Sequence, residues 1–396
     1  MLFSSLLLPA FAMFSLYCFM LLVNTRKLVV GSYGDIGGAL YGKKMRWIIL
    51  ASIVISQIGF VCAYTIFTAE NLSAFVSAVT RGGHSMDVRY LILLQLVILL
   101  PSAMIRDISK LSGTALVADF FIMLGLCVLY YFDIFTLATK GVADVTLFNS
   151  QDFVLFLGTA AFAFEGIGLV IPIQESMARP EKFKFVLTGV MVILIVVFTS
   201  IGALSYAAYG SAVKTVIISS LPQDSGISLL VRGLIVAFVN AVQFLYSLAI
   251  LLSTPLQLFP AIRILENGTG LALRSGKRNP YIKWKKNIFR FILVILTAGI
   301  SAAGANSLER FVSLTGSLTW YLSFRQSSIS CCSDYSLSCE KGTHCSVPLM
   351  FIYPPLLHYR ACANTWWQKA IDVCICIFGI VATVYNTMET TKGWLY

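Results

Sequence analysis

The chain has 396 residues, of which 58% are hydrophobic and 12% are charged. An average globular protein has about 25% charged residues, so this chain could not cover a water-exposed surface of its own size. The mean hydropathy of +0.83 agrees with that conclusion. The composition therefore indicates an integral membrane protein whose main partner is the lipid bilayer. It excludes a cytosolic enzyme, a nucleic-acid-binding domain and a disulfide-stapled secreted module.

Ten hydrophobic stretches predict an all-α bundle. A helix needs about 20 apolar residues to cross a hydrocarbon layer of ~30 Å, and most of these stretches are long enough. They are apolar all round and lack the period-two alternation of a barrel strand. The predicted spans are Met1–Val23, Trp47–Thr68, Arg89–Ile105, Gly113–Tyr131, Phe153–Gln174, Lys184–Tyr209, Ser228–Ser253, Ile288–Gly304, an interrupted span over Phe311–Leu357, and Gln368–Thr387.

The basic residues predict the orientation of these spans. When the loop after the first span is taken as cytosolic, most of the 29 Lys and Arg residues fall in cytosolic loops, above all in 263–290. This asymmetry follows the positive-inside rule and places both ends of the chain on the non-cytosolic side. The ten cysteines lie mostly within or beside spans, so no disulfide framework is expected.

The ninth span is interrupted by residues 319–344, which are rich in Ser and Cys and lack helical periodicity. The apolar runs 311–318 and 345–357 would together make about one crossing, whereas neither run can cross alone. We therefore interpret 319–344 as an insertion within one helix. The alternative is a metal site, whose ligands would be Cys331, Cys332, Cys339, His344 and Cys345. Their spacing fits no standard zinc pattern.

The fifth span contains the most informative residue, Glu165, within GTAAFAFEGIGLVIPIQESM (158–177). Ionisable residues inside spans are costly and mark functional sites. The surrounding glycines and Pro172 weaken the helix, so a break is expected near Glu165–Gly168. A second half-helix would then offer N–H groups to a carboxylate ligand, as discontinuous helices do in secondary transporters. The alternative is a packing face on which Glu165 meets a buried donor.

Weaker polar signals extend this candidate site. The hydroxyl of Tyr64 could reach a ligand, or it could only form a hydrogen bond between helices. Likewise Asn240, Gln243 and Tyr246 of the seventh span could line a cavity or only cross-link helices. Asp119 could pair with a base or relay a proton. The predicted substrate-binding residues are Phe162, Phe164, Glu165, Gly166, Ile167, Gly168, Tyr64, Asn240 and Tyr246, and the proton-coupling candidates are Glu165 and Asp119. No metal-binding histidine pair, catalytic triad or phosphate loop occurs, so neither an enzyme nor a cofactor is expected.

Several segments together resemble one family. The stretch GTAAFAFEGIGLVIPIQESMARP (158–180) is similar to the sixth-helix signature of the amino acid/auxin permeases, particularly the fungal vacuolar and lysosomal proton-coupled members. Similar motifs follow the family's order: SYGDIGGALYG (32–42), QIGFVCAYTIFTAENL (57–72), LSYAAYG (204–210), LERFVSLTGSL (308–318) and VPLMFIYPPLLHY (347–359). The resemblance covers nearly the whole chain except 319–344.

The resemblance implies an inverted-repeat bundle of eleven helices that moves neutral amino acids, usually with protons. The first span would then correspond to the family's second helix, so that about ten helices are expected here. Residues 1–396 would form one transporter domain: an incomplete first repeat (1–131), a second repeat (153–357) and a final helix (368–387). A vacuolar membrane location is expected, with the plasma membrane as the alternative. The functional alternatives are an amino-acid sensor and a non-functional truncated product of a transporter gene.

Overall fold

A computed structural model describes residues 2–80, 86–105, 108–145, 153–210, 229–268, 280–305, 308–321, 353–361 and 366–377. Within these ranges the chain is almost entirely helical and contains no strand. The predicted all-α class is therefore confirmed. In chain order the helices are α1 (Leu2–Leu28), α2 (Tyr33–Tyr41), α3 (Lys43–Val79), α4 (Val88–Ala103), α5 (Ile108–Lys140), α6 (Phe153–Ala163), α7 (Ile167–Ser176), α8 (Phe183–Tyr209), α9 (Leu229–Gly268), α10 (Pro280–Gly304), α11 (Leu308–Tyr321), α12 (Tyr353–Ala361) and α13 (366–377).

Seven helical segments within the described ranges are long and apolar enough to cross a membrane, and one of them includes both α6 and α7. The third predicted span is confirmed as a short helix, because α4 has 16 residues. The predicted insertion lies almost wholly outside the described residues, as do the five alternative metal ligands and the end of the last predicted span. The single helix that would join 311–318 to 345–357 stays a prediction, and so do the repeat boundaries.

Several helices extend beyond the corresponding predicted spans. The predicted span Trp47–Thr68 lies within helix Lys43–Val79, and the predicted span Gly113–Tyr131 lies within helix Ile108–Lys140. The predicted span Ser228–Ser253 corresponds to helix Leu229–Gly268, which extends further toward the C-terminus. The hydrophobic stretch ends where the bilayer core ends, whereas the hydrogen-bonded backbone continues through polar residues beyond it. Hydropathy therefore located the membrane-buried part of each helix and missed its polar extensions.

The chain divides into two compact units. The first contains Met1–Ser5, Gln57–Phe148 and Val197–Phe311, and the second contains Leu6–Ser56, Asn149–Val196 and Val312–Tyr396. In the first unit, α4, α9 and α10 enclose an apolar core that includes Leu99, Leu258 and Val294. In the second unit, α2 packs against α12.

A buried ion pair ties three helices of the first unit together. The Arg290 side chain of α10 is 2% exposed, and its Nε donates to Oε1 of Glu266 on α9 at 2.8 Å. Its Nη1 donates to the carbonyl oxygens of Ala103 and Ile105, both at 3.0 Å. Arg290 thus satisfies two carbonyl groups at the end of α4, where intrahelical donors have run out.

Candidate functional site

The fifth predicted span is broken at 164–166. Helix α6 ends at Ala163 and α7 begins at Ile167, and Gly166 (φ 176°, ψ 6°) precedes α7. At the end of α6, the N–H of Glu165 donates to the carbonyl of Phe162 at 3.3 Å, a tightened last turn. The N–H of Leu169 donates to the carbonyl of Gly166 at 2.9 Å and starts the new helix. The break expected from the sequence is therefore present.

The start of α7 offers backbone donors. The first N–H groups of any α-helix have no intrahelical acceptor, and the helix dipole adds partial positive charge there. In α7 these groups belong to Ile167, which is buried, and Gly168, which is half-buried. A Cβ added to Gly166 would meet no atom within 4 Å, so open space lies beside this residue. The arrangement can accept a small anionic group such as a carboxylate.

Glu165 is anchored at the break by α3. Ser56 is fully buried, and its hydroxyl donates to Oε1 of Glu165 at 2.9 Å. One turn earlier on the same face, Ser52 shares a hydrogen bond of 3.2 Å with the hydroxyl of Tyr353. These contacts form a small buried polar cluster within the second unit. The bond from Ser56 holds the carboxylate of Glu165 in one position at the helix break.

Tyr33 completes this cluster from α2. Its ring meets the ring of Tyr353 edge-on, with centroids 6.3 Å apart. Burial, and then the neighbouring Tyr353, Cys18 and Glu165, raise the pKa of the Tyr33 hydroxyl well above its usual value. Tyr33 therefore remains a neutral hydrogen-bonding group beside Glu165.

Helix α11 contacts the backbone of α6 directly. A Cβ added to Gly316 would lie 2.2 Å from the carbonyl oxygen of Gly158 and 3.0 Å from the N of Phe162. A side chain at position 316 would therefore clash with α6, and only glycine fits. Small residues allow membrane helices to approach each other closely in this way. This contact supports α6 in the turn before the break.

The remaining predicted residues lie on helices of the first unit. The ring of Tyr246 on α9 packs edge-on against Phe67, one turn beyond Tyr64 on α3, with centroids 5.8 Å apart. Asn240 is 6% exposed, and its Oδ1 has no hydrogen-bond partner among the described residues. Asp119 is exposed on the surface of α5. The structure thus groups Phe162, Phe164, Glu165, Gly166, Ile167 and Gly168 at one break.

Two buried charged residues were missed by sequence reasoning. Asp133 on α5 is fully buried, but the predicted span stopped at Tyr131. Arg290 falls within the predicted span Ile288–Gly304 but was counted with the charges of the basic loop 263–290, so its burial in α10 was not expected. Extending the predicted span Gly113–Tyr131 to its first helix-terminating signal would have placed Asp133 within a helix.

The fold defines an all-helical, multi-pass membrane protein, and its broken helix is a feature that secondary transporters share. A family model described as "Transmembrane amino acid transporter protein" matches residues 1–324. The chain belongs to this family, which confirms the predicted membership and fold class. The family consists of transporters rather than enzymes, as predicted.

The curated relatives agree with this assignment. The chain is 46% identical over 388 residues to vacuolar amino acid transporter 3 of Schizosaccharomyces pombe, covering 98% of this chain and 53% of that protein. It is 46% identical over 400 residues to vacuolar amino acid transporter 3 of Saccharomyces cerevisiae, covering 99% and 52%. It is 26% identical over 394 residues to amino acid transporter AVT3B of Arabidopsis thaliana, covering 94% and 82%.

The chain spans about half the length of the two fungal relatives. Together with the apolar helices, these relatives confirm the predicted multi-pass protein of the vacuolar membrane.

Proposed function

We propose that the chain is a secondary active transporter that moves neutral amino acids across the vacuolar membrane, coupled to protons. The observation that supports this function most directly is the break between α6 and α7, with Glu165 beside the first N–H groups of α7. Non-helical backbone at membrane depth is tolerated where it lines a cavity or binds a ligand. The fungal relatives are named vacuolar amino acid transporters.

The break offers a binding position for each charged group of an amino acid, the carboxylate and the ammonium. The substrate carboxylate would accept hydrogen bonds from the N–H groups at Gly166, Ile167 and Gly168, at the positive end of α7. The carboxylate of Glu165 would face the substrate ammonium group, or would take part in proton coupling. Its attachment to Ser56 keeps it oriented in either role. Tyr64, Asn240 and Tyr246 stay candidates for substrate contact that the sequence predicts.

The composition of the break disfavours acidic side chains. Segment 156–176 contains Glu165 and Glu175 but no Lys or Arg, so nothing there would neutralise an acidic side chain. Phe162 and Phe164 offer apolar surface next to the break. A charged substrate side chain left without a partner inside the membrane would be strongly disfavoured.

The experiment is uptake of radiolabelled neutral amino acids into proteoliposomes that contain the chain, with and without an imposed pH gradient. We expect saturable uptake that the gradient accelerates and that acidic or basic amino acids do not inhibit. The Glu165→Gln variant should lose most of the uptake while remaining folded.

The same preparation separates transport from sensing. Substrate binding measured by scintillation proximity without any flux would contradict transport and favour a sensor. Flux that is unaffected by Glu165→Gln would contradict the site.

A further inference from the structure

Three side-chain hydrogen bonds join α5 to α8 in the first unit. Tyr130 bonds to Ser200, Asp133 to Ser205, and Thr136 to Tyr209. The α5 residues are spaced three apart, so they follow one face of the helix. Two of these contacts join neutral hydroxyl groups. The middle contact is different because it contains a carboxyl group.

Asp133 is completely buried, with an exposed fraction of 0%. The Ser205 hydroxyl donates to its Oδ2. Its Oδ1 is also buried and has no hydrogen-bond partner among the described residues. A carboxyl group that is built into a helix interface with one oxygen unsatisfied is rarely explained by packing alone.

Among the side chains that the structure describes, none around Asp133 supplies a compensating positive charge. On α8 the facing groups are Ser205 and the phenol of Tyr209, and on α5 the nearest titratable neighbour along the same face is Tyr130. Helix α9 packs along α5, and the described titratable side chains of α9 are Tyr246, Arg263 and Glu266.

Within the described part of the chain, no ion pair or hydrogen bond joins these α9 side chains to Asp133. An ionised carboxylate buried without a counter-charge is strongly disfavoured, whereas a neutral carboxylic acid at the same place is tolerated. In its neutral form Asp133 would carry its proton on Oδ1, the oxygen that Ser205 does not reach. The same carboxyl group can release that proton when a water path opens.

We propose that Asp133 is a proton-binding site of this protein, distinct from the substrate break at Glu165. It lies seven residues before Lys140, the last residue of α5, which corresponds to about 10 Å along the helix. The charge distribution orients this end of α5 toward the non-cytosolic side, so the proton would enter from there. The assignment deepens the proposed transport, but its first test does not depend on flux.

That test is infrared difference spectroscopy of the reconstituted chain, cycled between acidic and neutral buffer. Wild-type protein should show a carbonyl stretch that grows as the pH falls, to which every carboxyl group that gains a proton contributes. Asp133→Asn should lose one component of it, the Asp133 band. Ser200→Ala is the matched control, because it removes the neighbouring interhelical bond without touching a carboxyl group. It should retain the band.

Two further variants keep the test decisive. Ser205→Ala leaves the carboxyl group in place and should shift the pH midpoint of the band, which remains measurable even if Asp133→Asn fails to fold. Asp144→Asn removes an exposed acid that follows the same helix and should leave the band intact. Persistence of the band in Asp133→Asn, an unmoved midpoint in Ser205→Ala, or loss of the band in Asp144→Asn would overturn the assignment.

A transport experiment tests whether Asp133 couples proton binding to amino acid movement. In proteoliposomes, Asp133→Asn should retain exchange of labelled for unlabelled amino acid but lose the acceleration produced by a pH gradient. If wild-type protein shows the band without any flux, the proposed transport fails and the proton site stands. A third outcome would show that the site binds Na⁺ and that the proton assignment is wrong. In that outcome a sodium gradient drives uptake, Asp133→Asn abolishes this effect, and no band appears.

Discussion

Ser56 and Glu165 are separated by 109 residues in the chain and are joined by a hydrogen bond of 2.9 Å. The donor lies inside the long helix α3, and the acceptor lies at the point where α6 ends. The bond gives the carboxylate of Glu165, which lies at the break in the fifth span, a defined position.

Loss of this bond should impair transport more than stability. In Ser56→Ala the hydrogen bond to Glu165 disappears, and bonds to charged groups contribute about 1.5–3 kcal/mol. If the bond orients Glu165 for binding, uptake efficiency should fall about tenfold or more. Uptake kinetics in proteoliposomes measure this change.

Ser15→Ala is the control, because Ser15 is equally buried and bonds only to Phe11 of its own helix at 2.9 Å. Equal losses in the two variants would show that any buried serine matters and that Glu165 has no special role.

The space beside Gly166 should be sensitive to one added methyl group. A Cβ at this position meets no atom within 4 Å, and the φ of 176° does not require glycine. Gly166→Ala should therefore keep its melting temperature while the methyl group occupies the proposed carboxylate position, which should raise KM several-fold.

Gly202→Ala on α8 provides the comparison, because its added Cβ also meets no atom. Its KM should equal that of the wild type. An unchanged KM in Gly166→Ala would place the substrate elsewhere.

The contact between α11 and α6 should tolerate no side chain. In Gly316→Ala the new methyl group would lie 2.2 Å from the carbonyl oxygen of Gly158, so one backbone must move. Overpacking of this kind costs about 1–3 kcal/mol, which should lower the thermal unfolding temperature in detergent.

Gly299→Ala on α10 meets nothing within 4 Å and should be neutral or slightly stabilising, since alanine is the better helix former. A Gly316→Ala protein as stable as wild type would contradict the close approach of the two helices.

Breaking the Arg290–Glu266 pair should be the most damaging single change. In Arg290→Met the buried Glu266 loses its counter-charge, and the end of α4 loses two hydrogen bonds. Removing one partner of a buried pair costs about 3–5 kcal/mol. Replacing both partners with methionine should recover part of the loss, because no unpaired charge then remains.

Arg46→Met is the reference for the Arg290 experiment. Arg46 pairs with Asp35 at 3.0 Å, but the side chain of Arg46 is 54% exposed. Exposed pairs contribute about 0–1 kcal/mol, so its unfolding temperature should barely change. Similar losses for Arg46→Met and Arg290→Met would contradict the buried role of Arg290.

The amino-acid sequence by itself determined that the bilayer is the main solvent, that the fold is helical and where the fifth span breaks, and it predicts the orientation in the membrane. Hydropathy, charge asymmetry and the glycines around Glu165 act over one helix or one loop, so they can be read without knowing the neighbours. Only the tertiary structure decided that Ser56 anchors Glu165, that Gly316 lies on Gly158, and that Asp133 and Arg290 are buried charges. These contacts join residues far apart in the chain, and local propensity carries no information about which helix faces meet.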